Sequence, residues 1–382
     1  MAAWQPCPAS TVRPLLTDLI AWRVPDVGPA GIIHRLLTWR SQAQTNMSKS
    51  RTTFANFAIA ATVSCLLLSS AHAQMFKDPG LQSLYAADQH TELQRQARER
   101  LTTQPKDTQA VLALSLAALA TNDAPARQGA ITRAEACIQD QPQAAVCHYA
   151  LGVVLGVQAM SEGMLKAARS ASTVKTALTQ AQMLEPTWYP ARSALTEFHL
   201  MAPGMMGGST TKAAELARSA STPEQVRLLS ARVDAQDASK MESALATFTG
   251  LLSSSDLSVA EDATSWGNQA SAKLIGDGKA PAAQAFFERL LKDRPGETAG
   301  PFGLARVRAE GGAHEQALKL YDQAAQTKGA AHWPIEYRRG IALQELGRKD
   351  DARAAFNRFV ASGKGQKKSL DDARKRLEQL GA

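Results

Sequence analysis

The sequence predicts an all-α chain, a solenoid of stacked helix–turn–helix repeats, and three observations carry that prediction. Its 382 residues are rich in Ala, Leu, Gln and Arg and only 5% aromatic, which favours helices over a sandwich or barrel. Residue types recur at fixed spacings from about residue 105 onward. A short alternating run suited to a strand is hard to find. The length exceeds one average domain and fits either two domains or a repeat array. A 45% hydrophobic content excludes general disorder, and four cysteines are too few for a disulfide scaffold.

Taken in order, the chain begins with a segment that does not read as part of the fold. From Met47 it shows a short basic region, Lys49 and Arg51, then an apolar run from Phe57 to Leu68 broken only by Thr62 and Ser64. Ala71-His72-Ala73 follows, a small-x-small pattern. Those parts in that order predict a signal peptide over residues 47–73, cleaved after Ala73, and a periplasmic mature chain. The run is shorter than the roughly 20 residues a spanning helix needs, so no stable membrane span is expected in the mature chain. An anchored form, through an uncleaved signal or a lipid on Cys65, is the alternative; against the lipid, Thr62 replaces the usual Leu and Cys65 falls inside the run. Residues 1–46, with Trp4, Trp22 and Trp39 and no periodicity, read as an upstream extension from a mis-assigned start, Met47 being the expected first residue. Residues 74–382 carry a net charge of +4, too thinly spread for a nucleic-acid footprint.

The remainder repeats. Pro105, Pro142, Pro186 and Pro295 each precede a leucine by nine residues: Leu114, Leu151, Leu195 and Leu304. A small residue follows each leucine: Ser115, Gly152, Thr196 and Ala305. The prolines are expected to start helices and the small residues to let a neighbouring helix approach. Toward the C-terminus Gly278, Ala283, Phe287 recur as Gly312, Ala317, Tyr321 and as Gly347, Ala352, Phe356. Thr222-Pro223-Glu224-Gln225 reads as a helix start, and Ser369 with Asp372 as the start of a last helix with a stripe of Leu370, Ala373, Leu377 and Leu380.

This pattern resembles the tetratricopeptide repeat, most closely at Tyr337-Arg338-Arg339-Gly340, Gly347, Ala352 and Phe356. The resemblance covers roughly residues 77–382 and implies a right-handed α-solenoid. The 44-residue gap from Pro142 to Pro186 implies an insertion near 160–173, and residues 236–266 fit the period poorly. Cys147 to Gly152 followed by Ala202-Pro203-Gly204 and Gly207-Gly208 is also similar to a group of bacterial periplasmic repeat proteins, in which such a Gly-rich loop, here 202–209, separates two helices.

Catalytic signals are weak, and no enzyme activity, cofactor or metal is expected. His90, His148, His199, His314 and His332 show no metal-ligand spacing, and no phosphate loop is present. Ser209 to Lys212 and Ser172 to Lys175 match Ser-x-x-Lys, a short motif without its partner motifs. Glycines 204, 207 and 208 could cradle an anion, but a tight helix–helix connection is favoured, with Met205 and Met206 packed on the neighbouring repeat. The resemblance places function on the concave face lined by the first helix of each repeat. By register from Gly152, Thr196, Ala305 and Gly340 it selects Tyr149, Glu197, Arg306, Tyr337 and Gln344, with packing between helices as the competing role for the tyrosines. The expected function is an exported scaffold binding a protein or peptide in its groove; the alternative is a structural or assembly factor of an envelope machine, docked by its convex face. Cys137 and Cys147 sit five residues to either side of Pro142, late in one helix and early in the next. Adjacent antiparallel helices bring such positions together, so these two cysteines are expected to form a disulfide.

Overall fold

Helix ends explain how the chain is punctuated. The computed structural model describes residues 75–381 apart from 122, 328 and 364. The expected signal peptide, its cleavage site after Ala73, Cys65 and the upstream extension lie outside the described residues. The described residues form seventeen α-helices, three short 3-10 turns and no strand. They are α1 Pro79–Ala86, α2 His90–Thr103, α3 Thr108–Ala120, α4 Ala124–Asp140, α5 Ala145–Ser161 and α6 Met164–Leu184. Next come α7 Tyr189–Met201, α8 Thr210–Arg218, α9 Pro223–Asp234, α10 Met241–Leu251, α11 Leu257–Gly276 and α12 Gln284–Asp293. The last five are α13 Ala299–Glu310, α14 His314–Ala325, α15 Ile335–Glu345, α16 Lys349–Ser362 and α17 Lys367–Gly381.

The four prolines do not start helices; each ends one. Gln104, Gln141, Glu185 and Arg294 close α2, α4, α6 and α12, and a proline follows each immediately. The amides of Asp107, Ala144, Trp188 and Glu297 donate back to the carbonyls of those same closing residues. That is a β-turn with proline at its second position, where a fixed φ suits the turn and the missing N–H cannot extend the helix. The glycine turns follow a different rule. Gly278, Gly312 and Gly347 all have φ between 73° and 78°. After each, the amide of Lys279, Ala313 or Arg348 donates to the carbonyl of Leu274, Arg308 or Leu343, five residues back. This is the left-handed helix termination that glycine permits without Cβ strain.

Packing follows the small residues. A Cβ on Gly152 would lie 2.6 Å from Leu178 Cδ2, and one on Gly340 would lie 2.6 Å from Phe356 Cε1. Ser115, Thr196 and Ala305 are likewise buried. The recurrent Ala283, Ala317 and Ala352 are wholly buried beside Phe287, Tyr321 and Phe356. Consecutive helices pair, and the odd-numbered helices also touch across the stack: α3 on α5, α7 on α9, α9 on α11, α11 on α13 and α13 on α15. The result is a solenoid of stacked helix–turn–helix pairs.

Three local readings change. The extra residues near 160–173 build no separate loop; they lengthen α5 to 17 and α6 to 21 residues, joined at Gly163 with φ 98°. Met205 is 93% exposed and packs on no repeat. The last helix begins at Lys367, two residues before Ser369, and its Leu370 and Leu377 pack with buried Ala373 and Leu380 as expected. Residues 236–266 lack a proline turn because Asp256 does the work: its carboxylate accepts from the amides of Ser258 and Val259 and starts α11. Thr222 caps α9 as read, accepting from Gln225. The Cys137 and Cys147 sulfurs lie at bonding distance, with Cα atoms 5.7 Å apart across the α4–α5 turn.

Candidate functional site

Side chains of three odd-numbered helices, α7, α9 and α11, converge on Arg232. Its guanidinium is fully buried. Nη1 donates to Ser193 Oγ at 2.6 Å and to Asp262 Oδ2 at 3.3 Å, and Nη2 donates to the Ser193 carbonyl at 3.3 Å. Glu197 Oε2 lies 3.6 Å from Nη2, and the guanidinium carbon sits 4.5 Å from the centre of the Trp266 ring. Asp262 Oδ2 also accepts from Tyr189 Oη at 2.6 Å and Ser193 Oγ at 2.8 Å. A buried charge is tolerable only when paired and hydrogen-bonded, and here one aspartate collects three donors. Glu197 has no such set: burial pushes its carboxyl up to about 8, against the pull of Arg232 and with a further push from Asp262.

The acidic character continues outward from this centre. Burial, with the nearby Asp262 charge, raises Glu261 to about 7. Burial raises Glu297 to about 8, opposed by Arg294, whose Nη1 lies 3.7 Å from Glu297 Oε1. The charge of Asp88, in the turn between α1 and α2, reaches both glutamates. The surroundings of α11 therefore hold more acidic than guanidinium groups.

Farther along, the sign reverses. Arg306 on α13 is half-buried, and burial together with the neighbouring Arg338 charge draws its pKa down to about 10. Arg338, on α15, has its guanidinium carbon 5.5 Å from the Tyr337 ring centre. Among the described residues, the buried Nε atoms of both arginines find no hydrogen-bond partner.

The five residues selected from the sequence divide among these environments. Tyr149 is 6% exposed and packs edge-on to Trp188 at 4.8 Å between ring centres, so its body serves packing. Glu197 joins the Arg232 cluster and Arg306 faces Arg338. Tyr337 and Gln344 are engaged by the last helix: Tyr337 Oη donates to Asp372 at 2.8 Å, and Gln344 accepts from Arg376 at 2.9 Å. Arg232, Asp262, Ser193, Tyr189 and Trp266 went unselected. The signal available was Glu261-Asp262, the two acidic residues of α11.

In the two Ser-x-x-Lys matches, Ser209 Oγ caps α8, accepting from the Lys212 amide at 3.3 Å, and Ser172 is exposed. His199 Nδ1 lies 3.1 Å from the Gly207 carbonyl and His148 Nε2 lies 2.8 Å from the Pro142 carbonyl, so both serve local structure. Among the described residues no group of three His, Cys, Asp or Glu is arranged to hold a metal ion, and no helix is long and apolar enough to cross a membrane.

Neither family models nor curated proteins give a match to this chain. Solved structures do, at low identity. Human IFIT1 as a dimer with PPP-AAAA is 14% identical with a TM-score of 0.48, covering 78% of this chain and 69% of IFIT1. A monomeric IFIT1 mutant with Gppp-AAAA is 14% identical with a TM-score of 0.49, covering 97% of this chain and 86% of its own. A tetratricopeptide-repeat domain is 13% identical with a TM-score of 0.26, covering 78% of this chain and 96% of that domain. These likenesses concern fold alone; the repeat assignment rests on the turns and close approaches described above.

Proposed function

We propose that this chain is an exported repeat scaffold that binds a protein or peptide partner through the inner face of its odd-numbered helices. One observation supports this reading above others: Arg306 and Arg338 come from α13 and α15, repel each other, and have Nε donors that nothing among the described residues accepts. Holding two guanidinium groups together in a half-buried face costs free energy unless an anion joins them, and arginine pairs suit a carboxylate with its two acceptor oxygens. The partner is then a segment bearing an acidic side chain or a free C-terminus. A nucleic acid fits poorly, because a net charge of +4 over residues 74–382 is too thinly spread to hold a phosphate backbone.

The test is capture of partners from an envelope extract by the wild-type chain and by Arg306→Ala with Arg338→Ala. The expected result is a protein retained by the first and lost by the second at unchanged thermal stability. Equal retention by both would remove the arginine pair from the binding face. Export is checked separately: N-terminal sequencing of the secreted form is expected to begin at Gln74.

A further inference from the structure

Exposed apolar side chains are concentrated on one stretch of the chain. Of the six large apolar side chains that stand exposed among the described residues, Met164, Leu165, Met183, Met201 and Met205 fall between residues 164 and 205; the sixth is Leu257. Helix length accounts for the first two. α6 has 21 residues and α7 has 13, and the proline turn after Glu185 joins the C-terminal end of α6 to the start of α7. The eight extra residues therefore lie at the N-terminal end of α6, which runs about 12 Å past the end of α7. Met164 and Leu165 stand in that overhang, 57% and 68% exposed.

A second apolar tip comes to the same helix. The amides of Met206 and Gly207 donate to the carbonyls of Pro203 and Gly204, and the Ser209 amide donates to the His199 carbonyl, which closes residues 199–209 into a tight loop. The 3-10 turn Gly204–Met206 packs on α6, and a Cβ on Gly207 would lie 3.0 Å from Lys175 Cδ. The loop thus rests at Lys175, with Met205 exposed at its apex. Lys175 and Met164 are eleven residues apart, about three helical turns, and so share a side of α6. The charges around them have one sign. α6 carries Lys166, Arg169 and Lys175 and no acidic residue, and α5 carries no charged residue at all. Glu162, in the turn between them, lies 3.7 Å from Lys166 Nζ. Lys212 adds an exposed cation in the first turn of α8.

We propose that this side of α6 is a membrane-docking surface: Met164 and Leu165 on the overhang and Met205 on the loop enter the interface of an anionic bilayer, and Lys166, Arg169 and Lys175 meet its phosphate headgroups. Shape and charge select that occupant. Both apolar tips are convex, and a fluid surface receives protrusions without a complementary groove. Thioether side chains adapt to irregular apolar surroundings, and the small Ala168 and Ser172 between the tips let the helix lie close to the headgroups. The lysine and arginine stems run along the interface while their charges stay in water. A second copy of the chain would set like charge against like charge, and two small tips fall short of the roughly 1,200 Å² that a stable protein interface buries. The contact is peripheral, since no described helix is long and apolar enough to cross a membrane. It uses an even-numbered helix, so it leaves the arginine pair of α13 and α15 open to a partner and does not depend on that pair.

The test is sedimentation of the full chain with vesicles of two parts phosphatidylcholine to one part phosphatidylglycerol, against vesicles of phosphatidylcholine alone. Wild type is expected to sediment with the first, less so at high salt, and to stay in solution with the second. Met164→Ser with Leu165→Ser, at exposed side chains, keeps the fold and should weaken binding about tenfold or more, as should Lys166→Glu with Arg169→Glu. Amide exchange on the vesicle-bound protein locates the contact: residues 160–169 and 202–208 are expected to gain protection, which separates this surface from any contribution of the apolar run at 57–68. Equal sedimentation with both vesicle types, or of wild type and both variants, overturns the proposal, and so does protection confined to other residues. Self-association that these variants abolish, with no vesicle binding by wild type, would assign the surface to a second copy and overturn it as well.

Discussion

Gly207 and Gly208 are adjacent and are required for different reasons. Gly207 sits at φ 96°, where a side chain is strained even with room for it. Gly208 has no positive φ; a Cβ there would lie 1.7 Å from the Ala202 carbonyl oxygen, so the loop backbone itself would have to move. Gly208→Ala is therefore expected to destabilise by about 3 kcal/mol or more and Gly207→Ala by about 1 kcal/mol, measured by urea unfolding. An inverted order would show that strain in the backbone, not collision, governs this loop. Arg232 presents the opposite case, a residue held by everything around it. Arg232→Met leaves Asp262 and Glu197 buried without their counter-charge, and a loss of about 3–5 kcal/mol is expected in the same assay. Adding Asp262→Asn should recover part of it; no recovery would mean that the lost packing on Trp266 dominates. The sequence disclosed the glycines because a turn needs them locally. It hid Arg232 and Asp262 because they stand 30 residues apart on helices whose meeting is decided by stacking.

At the scale of the helix, what was legible was what each helix end needs from its own neighbours. The proline and glycine positions marked the turns, although the prolines close helices instead of opening them. The small residues in repeat register marked the tight crossings, since Gly152 and Gly340 leave room for no more than hydrogen against Leu178 and Phe356. What was not legible was docking outside the repeat register. The groove positions Tyr337 and Gln344 are bound by Asp372 and Arg376 because α17 is not a repeat helix, and no period predicts where it lies. Cys137 and Cys147 were readable for the opposite reason: a short turn fixes their distance. A bond between them closes a loop with a sequence separation of 10. Replacing both by Ser should lower stability by about 2–3 kcal/mol on the chain-entropy account of such a loop. Mass spectrometry of the unreduced, alkylated protein checks the premise: two alkylated thiols would show that the bond is not formed.

Across the described helices, ionisable groups are segregated along the odd-numbered helices: acidic groups around α7 and α11, arginines Arg306 and Arg338 on α13 and α15. That segregation makes stability depend on pH in a direction opposite to ordinary acid denaturation. Glu197 and Glu297 are raised to about 8 and Glu261 to about 7, each mainly by burial. An unfolded glutamate titrates near 4.3, so between roughly pH 5 and 8 the folded chain binds more protons than the unfolded chain. Stability contributed by the neutral carboxyls is complete below the unfolded pKa and is lost as pH rises through the folded values. His199 works against this trend at lower pH, because burial depresses its pKa and its neutral form is favoured on folding. Asp78, Asp237 and Asp372 have lowered pKa values and act only in the acid range. A window from pH 6.5 to 8.5 therefore contains the folded-state titrations of the three glutamates, with His199 opposing them only at its lower edge. The melting temperature is expected to fall across it, and Glu197→Gln should flatten the fall by removing one of the three titrations. A melting temperature that rises or stays level over that window would show that water or counter-charge reaches these carboxyls and keeps them ionised, and the acidic centre would then be a solvated surface instead of a buried one.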